Sequence, residues 1–233
     1  MTNLKNLLMG TIGTTLFSIG IVGAAEATTI TIESAVLGAT GENGGYVIAG
    51  PRGPFSPQFL GWRFEVDNTL QVTDIGGHLA SSGSIFGTLV SLNNPNALPQ
   101  GSPFLPEEVL ASTTFTVGFP SRDITTPLSV TLAPGNYALI FGAELFGATG
   151  SGLMPNNNFD LPGASYFIWG TLNADDPTAW YNTPSGNARF VVRGQTVDVI
   201  EPSSLLGIGM VLGIGAIRQR NSFRKRNNSA GAS

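Results

Sequence analysis

The stretch Leu128–Phe146, LSVTLAPGNYALIFGAELF, carries the clearest fold signal in the chain. In Leu128–Leu132, apolar and polar residues alternate, which is typical of a strand with one buried face. Ala133–Asn136 (APGN) fits a tight turn, because Pro presets one backbone dihedral and Gly or Asn tolerates the next. Tyr137–Phe146 is apolar again. The stretch therefore predicts a β-hairpin.

The chain around this hairpin shows further strand patterns. Trp62, Phe64 and Val66 alternate with Arg63 and Glu65, which predicts a half-buried strand. No segment here has a helical period with caps. Short strands separated by turn signals predict an all-β fold, a single antiparallel β-sandwich with a jelly-roll-like arrangement. The other predicted strands are Thr28–Ala35, Leu70–Leu79, Gly87–Leu92, Val109–Val117, Tyr166–Gly170 and Ala188–Asp198.

The N-terminal 27 residues have the pattern of a secretory signal peptide. Lys5 gives the positive start, and Leu7–Gly23 is an apolar run that we expect to be helical. Ala25 and Ala27 match an A-x-A cleavage site, which predicts a mature chain that starts at Thr28. An uncleaved membrane anchor is the alternative.

The C-terminus has three parts in a fixed order. A polar motif contains Glu201, Pro202 and Ser203, and the apolar, glycine-rich run Leu205–Ile217 follows it. As a helix, thirteen residues span roughly 20 Å, which is short for a bilayer core of about 30 Å. A basic cluster ends the tail, and positive-inside bias places it in the cytoplasm with the body outside. The cluster consists of Arg218, Arg220, Arg224, Lys225 and Arg226.

This tail resembles the PEP-CTERM sorting signal of Gram-negative bacteria and cyanobacteria. The string Glu201–Gly207 (EPSSLLG), the apolar run and the basic end carry the resemblance, while Ile200 stands where the family motif has its first proline. The resemblance implies recognition by an exosortase, a membrane-embedded sorting enzyme, and a mature protein at the cell surface, often alongside exopolysaccharide. A plain C-terminal membrane anchor is the alternative.

These signals divide the chain into four parts. We expect a signal peptide over residues 1–27, a β-sandwich body over 28–199, a sorting or anchoring tail over 200–226, and a disordered end over 227–233. The expected partners are the Sec export machinery, an exosortase-type enzyme, the membrane through the tail helix, and exopolysaccharide. The expected location is the cell surface or the extracellular space.

The charge of the body argues against nucleic-acid binding. Thr28–Pro202 holds five arginines, no lysine and fourteen acidic residues, a net charge of −9. An acidic body repels phosphate backbones. The chain has no cysteine, so packing alone must stabilise it and thiolate chemistry is excluded.

The sequence offers little for catalysis or metal binding. A hydrolase triad needs a histidine beside a nucleophile, and the only histidine, His78, ends a predicted strand. A glycosidase needs two facing carboxylates, for which Glu65/Asp67 and Glu107/Glu108 are candidate pairs. Asn156–Asn158 with Asp160, and Asp175–Asp176, could offer calcium oxygens, although turn residues are the better interpretation. We therefore predict no catalytic residue, no metal and no cofactor.

Binding residues could lie among the aromatic side chains and the long loops. Trp169, Trp180 and Tyr181 could stack on sugar rings if exposed, or act as core residues if buried. Asn93–Pro106 and Gly147–Gly163 are predicted long loops, where binding sites commonly lie. The leading hypothesis is a non-enzymatic structural or adhesive surface protein. The alternatives are a carbohydrate-binding module and, less favoured, a secreted polysaccharide hydrolase.

Overall fold

The computed structural model describes residues 28–38, 44–50, 58–170, 176, 178–184 and 186–196. Fourteen strands and no helix lie in these ranges. The predicted signal helix and the predicted C-terminal helix lie outside them. The strands are β1 Thr29–Glu33, β2 Ala35–Val36, β3 Gly45–Ile48, β4 Gln58–Val66, β5 Leu70–Ser82, β6 Ile85–Leu92, β7 Val109–Phe115, β8 Gly118–Leu132, β9 Gly135–Gly142, β10 Ser151–Pro155, β11 Phe159–Asp160, β12 Ser165–Gly170, β13 Trp180–Thr183 and β14 Phe190–Thr196.

The strands form two large antiparallel sheets and one short ladder. Sheet I has the order β1–β14–β5–β10–β3, with β8 paired to β5. Sheet II has the order β13–β12–β4–β9–β6–β7, and β2 pairs with β11. This confirms the all-β prediction and is consistent with a β-sandwich.

The main core lies between the two sheets. Trp62, Phe64 and Val66 of β4 point into it, as their alternation predicts, and meet side chains of sheet I. Phe190 of β14 stacks on Trp62 at 6.0 Å and on Phe141 of β9 at 5.3 Å between ring centroids. Large aromatic side chains contribute most of the apolar area in such a core.

The hairpin prediction for Leu128–Phe146 is wrong. β8 pairs with β5 in sheet I, whereas β9 pairs with β4 and β6 in sheet II. Residues 133–134 therefore cross from one sheet to the other, and the Tyr137 hydroxyl donates to the Ala133 carbonyl at 2.7 Å across this connection. The turn chemistry is recognisable, but it does not show whether the second strand returns to the same sheet. The apolar run of β9 is buried on both faces, which is typical of an interior strand.

A second core covers the outer face of sheet II. Phe59, Phe86, Ile140, Phe167 and Trp169 form its floor. Its cover comes from the irregular segments after β6 and β9, through Ala97, Leu98, Phe104, Leu145 and Ala148. Sheet II is therefore buried on both faces over much of its area, and the half-buried strand predicted at β4 is exposed only at Glu65.

The two predicted long loops have different outcomes. Asn93–Pro106 contains no strand, as expected. Gly147–Gly163 contains β10 and β11, which sequence reasoning misses because the segment is rich in Gly, Pro and Asn. β10 lies between β3 and β5 and extends sheet I beyond the end of β14.

Candidate functional site

The predicted start of the mature chain lies beside the end of the last strand. The Thr28 amide donates to Thr196 Oγ1 at 3.3 Å, and the Thr196 amide donates to the Thr28 carbonyl at 3.0 Å. β1 begins at the next residue and pairs with β14 along its whole length. The body therefore enters and leaves the fold at one corner of sheet I.

Most residues of the two predicted sorting signals lie outside the described residues. At the N-terminus these are Ala25 and Ala27. At the C-terminus they are Glu201, Pro202, Ser203, Arg218, Arg220, Arg224, Lys225 and Arg226. In the part of the chain that the structure describes, no helix is long and apolar enough to cross a membrane.

The tryptophans considered for sugar stacking are core residues. Trp169 and Trp180 are 5% and 8% exposed and belong to the second core. The Trp180 indole donates to the Pro103 carbonyl at 2.6 Å, and the Trp169 indole donates to the Thr178 carbonyl at 2.8 Å. Tyr181 is half-buried against the main core, and its enclosed hydroxyl has no hydrogen-bond partner among the described residues. Neither tryptophan offers a free ring face for a sugar, and Tyr181 is only partly exposed.

This burial predicts weak quenching of the intrinsic fluorescence. All three tryptophans of the chain, including Trp62, are at most 8% exposed. We expect iodide to quench the native protein far less than the urea-unfolded protein, because a charged quencher does not enter a packed core. Free N-acetyl-tryptophanamide is the reference. Native quenching equal to that reference would contradict the placement of Trp169 and Trp180.

His78 lies inside the protein and is fully buried. Its Nδ1 is 2.9 Å from Asn157 Oδ1, and Asn157 Nδ2 donates to the carbonyls of Pro155 and Asn187. Because Nδ2 makes both of these bonds, Oδ1 is the acceptor and His78 Nδ1 carries the hydrogen. His78 Nε2 has no hydrogen-bond partner among the described residues. The geometry gives His78 a structural contact rather than a nucleophile to activate.

The two candidate carboxylate pairs differ in their surroundings. Glu108 accepts hydrogen bonds from the amides of Gln100 at 2.6 Å and Leu105 at 3.1 Å, so it holds the Asn93–Pro106 loop in shape. Its neighbour Glu107 is exposed. Glu65 and Asp67 are both exposed and line one recess beside β1.

The residues considered as calcium ligands are used in hydrogen bonds of the fold. Asp160 accepts from the Tyr166 hydroxyl at 2.5 Å and from the Asn187 amide at 2.6 Å. Burial, together with the hydrogen bond to Asp160, raises the pKa of Tyr166 well above its usual value. Asp176 accepts from the amide and hydroxyl of Thr178, which lowers its pKa, and Asp175 lies outside the described residues. Among the described residues, no group of three or more possible ligands could hold a metal.

Arg63 is a buried charge, although the alternation of β4 predicts it on a solvent face. It is 6% exposed on the outer side of sheet II. Nε donates to the Ala97 carbonyl at 2.7 Å, Nη1 to Ser165 Oγ at 2.9 Å, and Nη2 to Asn182 Oδ1 at 2.6 Å. The guanidinium also lies 4.7 Å from the ring centroid of Phe167, a cation–π contact.

No carboxylate forms a salt bridge with Arg63 within the described ranges, because both salt bridges found there belong to Arg189. Burial accordingly lowers the pKa of the Arg63 guanidinium. Leaving a buried charge without an opposite charge is costly.

A pocket of about 200 Å³ with a mixed polar and apolar lining lies beside Arg63. Glu65 and Asn136 line it from the sheet, Pro95 and Asn96 from the loop after β6, and Ser165 from the start of β12. We call this the Arg63 pocket. The alternation of β4 in the sequence places Arg63 and Glu65 on one face, but only the fold brings the loop and β12 to them.

An apolar groove of about 470 Å³ lies where the two loops of the second core meet. Phe104, Leu105, Val109 and Leu145 line it, together with Phe146, which is 41% exposed. The Phe146 ring packs edge-on against Phe86 at 5.1 Å between centroids. The groove is continuous with the second core and forms its solvent-facing end.

Comparison with known proteins adds no family to this geometry. No family model matches the chain, and no curated protein matches it significantly. What the chain does has to be inferred from its own residues.

Proposed function

We propose that the chain is an exported, non-enzymatic protein of the cell surface or extracellular matrix. In this proposal the signal peptide directs the chain to Sec export, and an exosortase-type enzyme recognises the PEP-CTERM-like tail. The β-sandwich body, with a jelly-roll-like arrangement, then acts as a structural or adhesive module next to exopolysaccharide.

The contact between Thr28 and Thr196 carries this proposal. Cleavage after Ala27 would leave Thr28 with a free amino group, which can still donate to Thr196 Oγ1. A cut several residues later would remove part of β1 and its pairing with β14. Cleavage at the predicted point would thus leave the pairing of β1 with β14 intact.

The position of this corner also suits attachment by the tail. β14 ends at Thr196, and the sorting motif follows within five residues, at Glu201. An extended chain covers at most about 3.3–3.6 Å per residue. The body would therefore sit close to the membrane before processing, with its acidic surface in the exported space.

Mass spectrometry of the protein from its producing cells tests the two signals together. We expect Thr28 as the first residue, because the A-x-A site directs cleavage after Ala27. We also expect no peptides beyond the Glu201–Pro202 region. Recovery of an intact tail through Arg226 in membranes would contradict the sorting step and support a permanent anchor.

Neutralising the basic cluster tests the orientation of the tail. Changing all five basic residues of 218–226 to Gln should disturb membrane retention and processing, because positive charge holds that end in the cytoplasm. Arg193→Gln is the matched control, since Arg193 is an exposed arginine of the body. Equal sorting of the cluster variant and the wild type would contradict the proposal.

A further inference from the structure

We infer that the Arg63 pocket binds one pyranose unit of a neutral polysaccharide. This deepens the adhesive role proposed above by naming its ligand, and it uses residues of the body alone. A negative result for the sorting signals would therefore not contradict the inference of sugar binding. Absence of sugar binding would likewise not contradict the sorting proposal.

The pocket holds polar groups with unused hydrogen-bonding capacity. The side chains of Glu65, Asn96 and Asn136 make no hydrogen bond to other described residues. Arg63 has five N–H donors and uses three, which leaves one on each terminal nitrogen. Ser165 Oγ accepts from Arg63 and keeps its own hydrogen for donation.

These groups match the hydroxyls of a sugar. Each hydroxyl both donates and accepts, so a pyranose ring with neighbouring hydroxyls needs carboxylate or amide oxygens together with N–H donors. Glu65 accepts, Arg63 donates, and the Asn96 and Asn136 amides do both. A few convergent polar groups in a concave site are the usual means of fixing a ligand's orientation.

The shape and rigidity of the pocket suit the same ligand. Its volume of about 200 Å³ is close to that of one hexose. Leu92 and Pro95 line it as well and offer apolar contact to the C–H groups of a ring. Because three hydrogen bonds and the Phe167 ring already hold Arg63, binding would not have to order that side chain.

The charges favour a neutral sugar over a uronic acid. Arg63 and Glu65 carry opposite charges in one pocket, so a carboxylate ligand would gain from one and be repelled by the other. The body as a whole carries a net charge of −9, which repels polyanions. A neutral ligand avoids both repulsions, and its hydroxyls can bond to both side chains.

Ligand-observed saturation-transfer NMR on the full chain, held in a detergent without a sugar headgroup, tests the inference. The probes are cellotriose, maltotriose and mannotriose as neutral ligands, and trigalacturonic acid as the acidic one. We expect saturable binding of at least one neutral probe and weaker binding of the acid. Calorimetry with the bound probe should show about a tenfold loss of affinity for Glu65→Ala and for Asn136→Ala, since each loses a polar contact.

Asn68→Ala is the matched control, because Asn68 is exposed in the connection between β4 and β5 and lies outside the pocket. It should bind like the wild type, and circular dichroism should show all three variants folded. The inference is overturned if no neutral probe binds, or if Glu65→Ala and Asn136→Ala bind as tightly as Asn68→Ala. Tighter binding of trigalacturonic acid, or cleavage of a probe, would also overturn it.

Discussion

Gly76→Ala is expected to destabilise the protein by about 3 kcal/mol or more, a large part of the stability of a typical domain. Gly76 lies in the interior strand β5, between Val191 of β14 and Thr125 of β8. A Cβ at this position would overlap the Ile124 carbonyl oxygen and lie 2.7 Å from Thr125 Cα. Both atoms belong to the backbone of β8, so the added methyl group must push the strand away and break the ladder.

Gly147→Ala is the control that separates crowding from backbone conformation. Gly147 has a φ of 87°, which costs an alanine about 1 kcal/mol, but apart from its chain neighbours no residue lies within 4 Å of the position that the alanine Cβ would take. Urea denaturation of both variants should therefore show a large loss for Gly76→Ala and a small one for Gly147→Ala. A reversed order would mean that β5 and β8 are not packed as described.

The sequence predicts the strands of this fold better than their partners. The alternation in Trp62–Val66 correctly assigns the side chains that enter the main core, because period-two patterning reports burial directly. The change of chain direction at Ala133–Pro134 is also recognisable, although Gly135 and Asn136 of the predicted turn already belong to β9. Its role as a crossing between sheets is not, because a tight turn and a crossing use the same residues and differ only in where β9 finds its neighbours.

The second core explains why the alternation of β4 is misleading on the outer face of sheet II. Arg63 is polar, and a polar residue in an alternating strand normally faces water. Here the segment after β6 folds over that face, and its Ala97 carbonyl accepts from Arg63. Arg63 and Ala97 are thirty-four residues apart in the sequence, so no local sequence pattern predicts their contact.

The same reasoning applies to Trp169 and Trp180. Their position near a long loop is compatible with exposure and with burial, and sequence alone leaves both open. In the structure both are buried. The Trp169 indole N–H donates to the Thr178 carbonyl and the Trp180 indole N–H to the Pro103 carbonyl, while apolar neighbours cover the rings. The residues that we propose to bind sugar are therefore the polar groups around Arg63 and not these aromatic rings.

Asn157→Ala is expected to cost about 3 kcal/mol of stability, measured by urea denaturation. Asn157 is buried and joins four groups through its side chain. Truncation would leave the His78 Nδ1–H and the carbonyls of Pro155 and Asn187 without this partner inside the protein. Buried polar groups that lose a partner carry the full cost of their desolvation.

The neighbouring Asn158 provides the matched control. Asn158 is exposed, and its Nδ2 reaches only the Leu37 carbonyl, at 3.4 Å. Asn158→Ala should therefore change stability by less than about 0.5 kcal/mol. A loss for Asn157→Ala as small as the one expected for Asn158→Ala would contradict the buried contact.

A double-mutant cycle with His78→Leu then isolates the contact between His78 and Asn157. Once His78 is replaced by leucine, removing the Asn157 side chain no longer leaves a histidine N–H without an acceptor. The double variant should therefore lose less stability than the sum of the losses of the two single variants. We expect a coupling of at least about 1 kcal/mol, as is found for directly bonded buried pairs. Strict additivity of the two stability losses would show that His78 contributes to stability only by filling space in the core. A coupling would instead establish that the single histidine of the chain stabilises the protein through a hydrogen bond between β5 and the segment after β10.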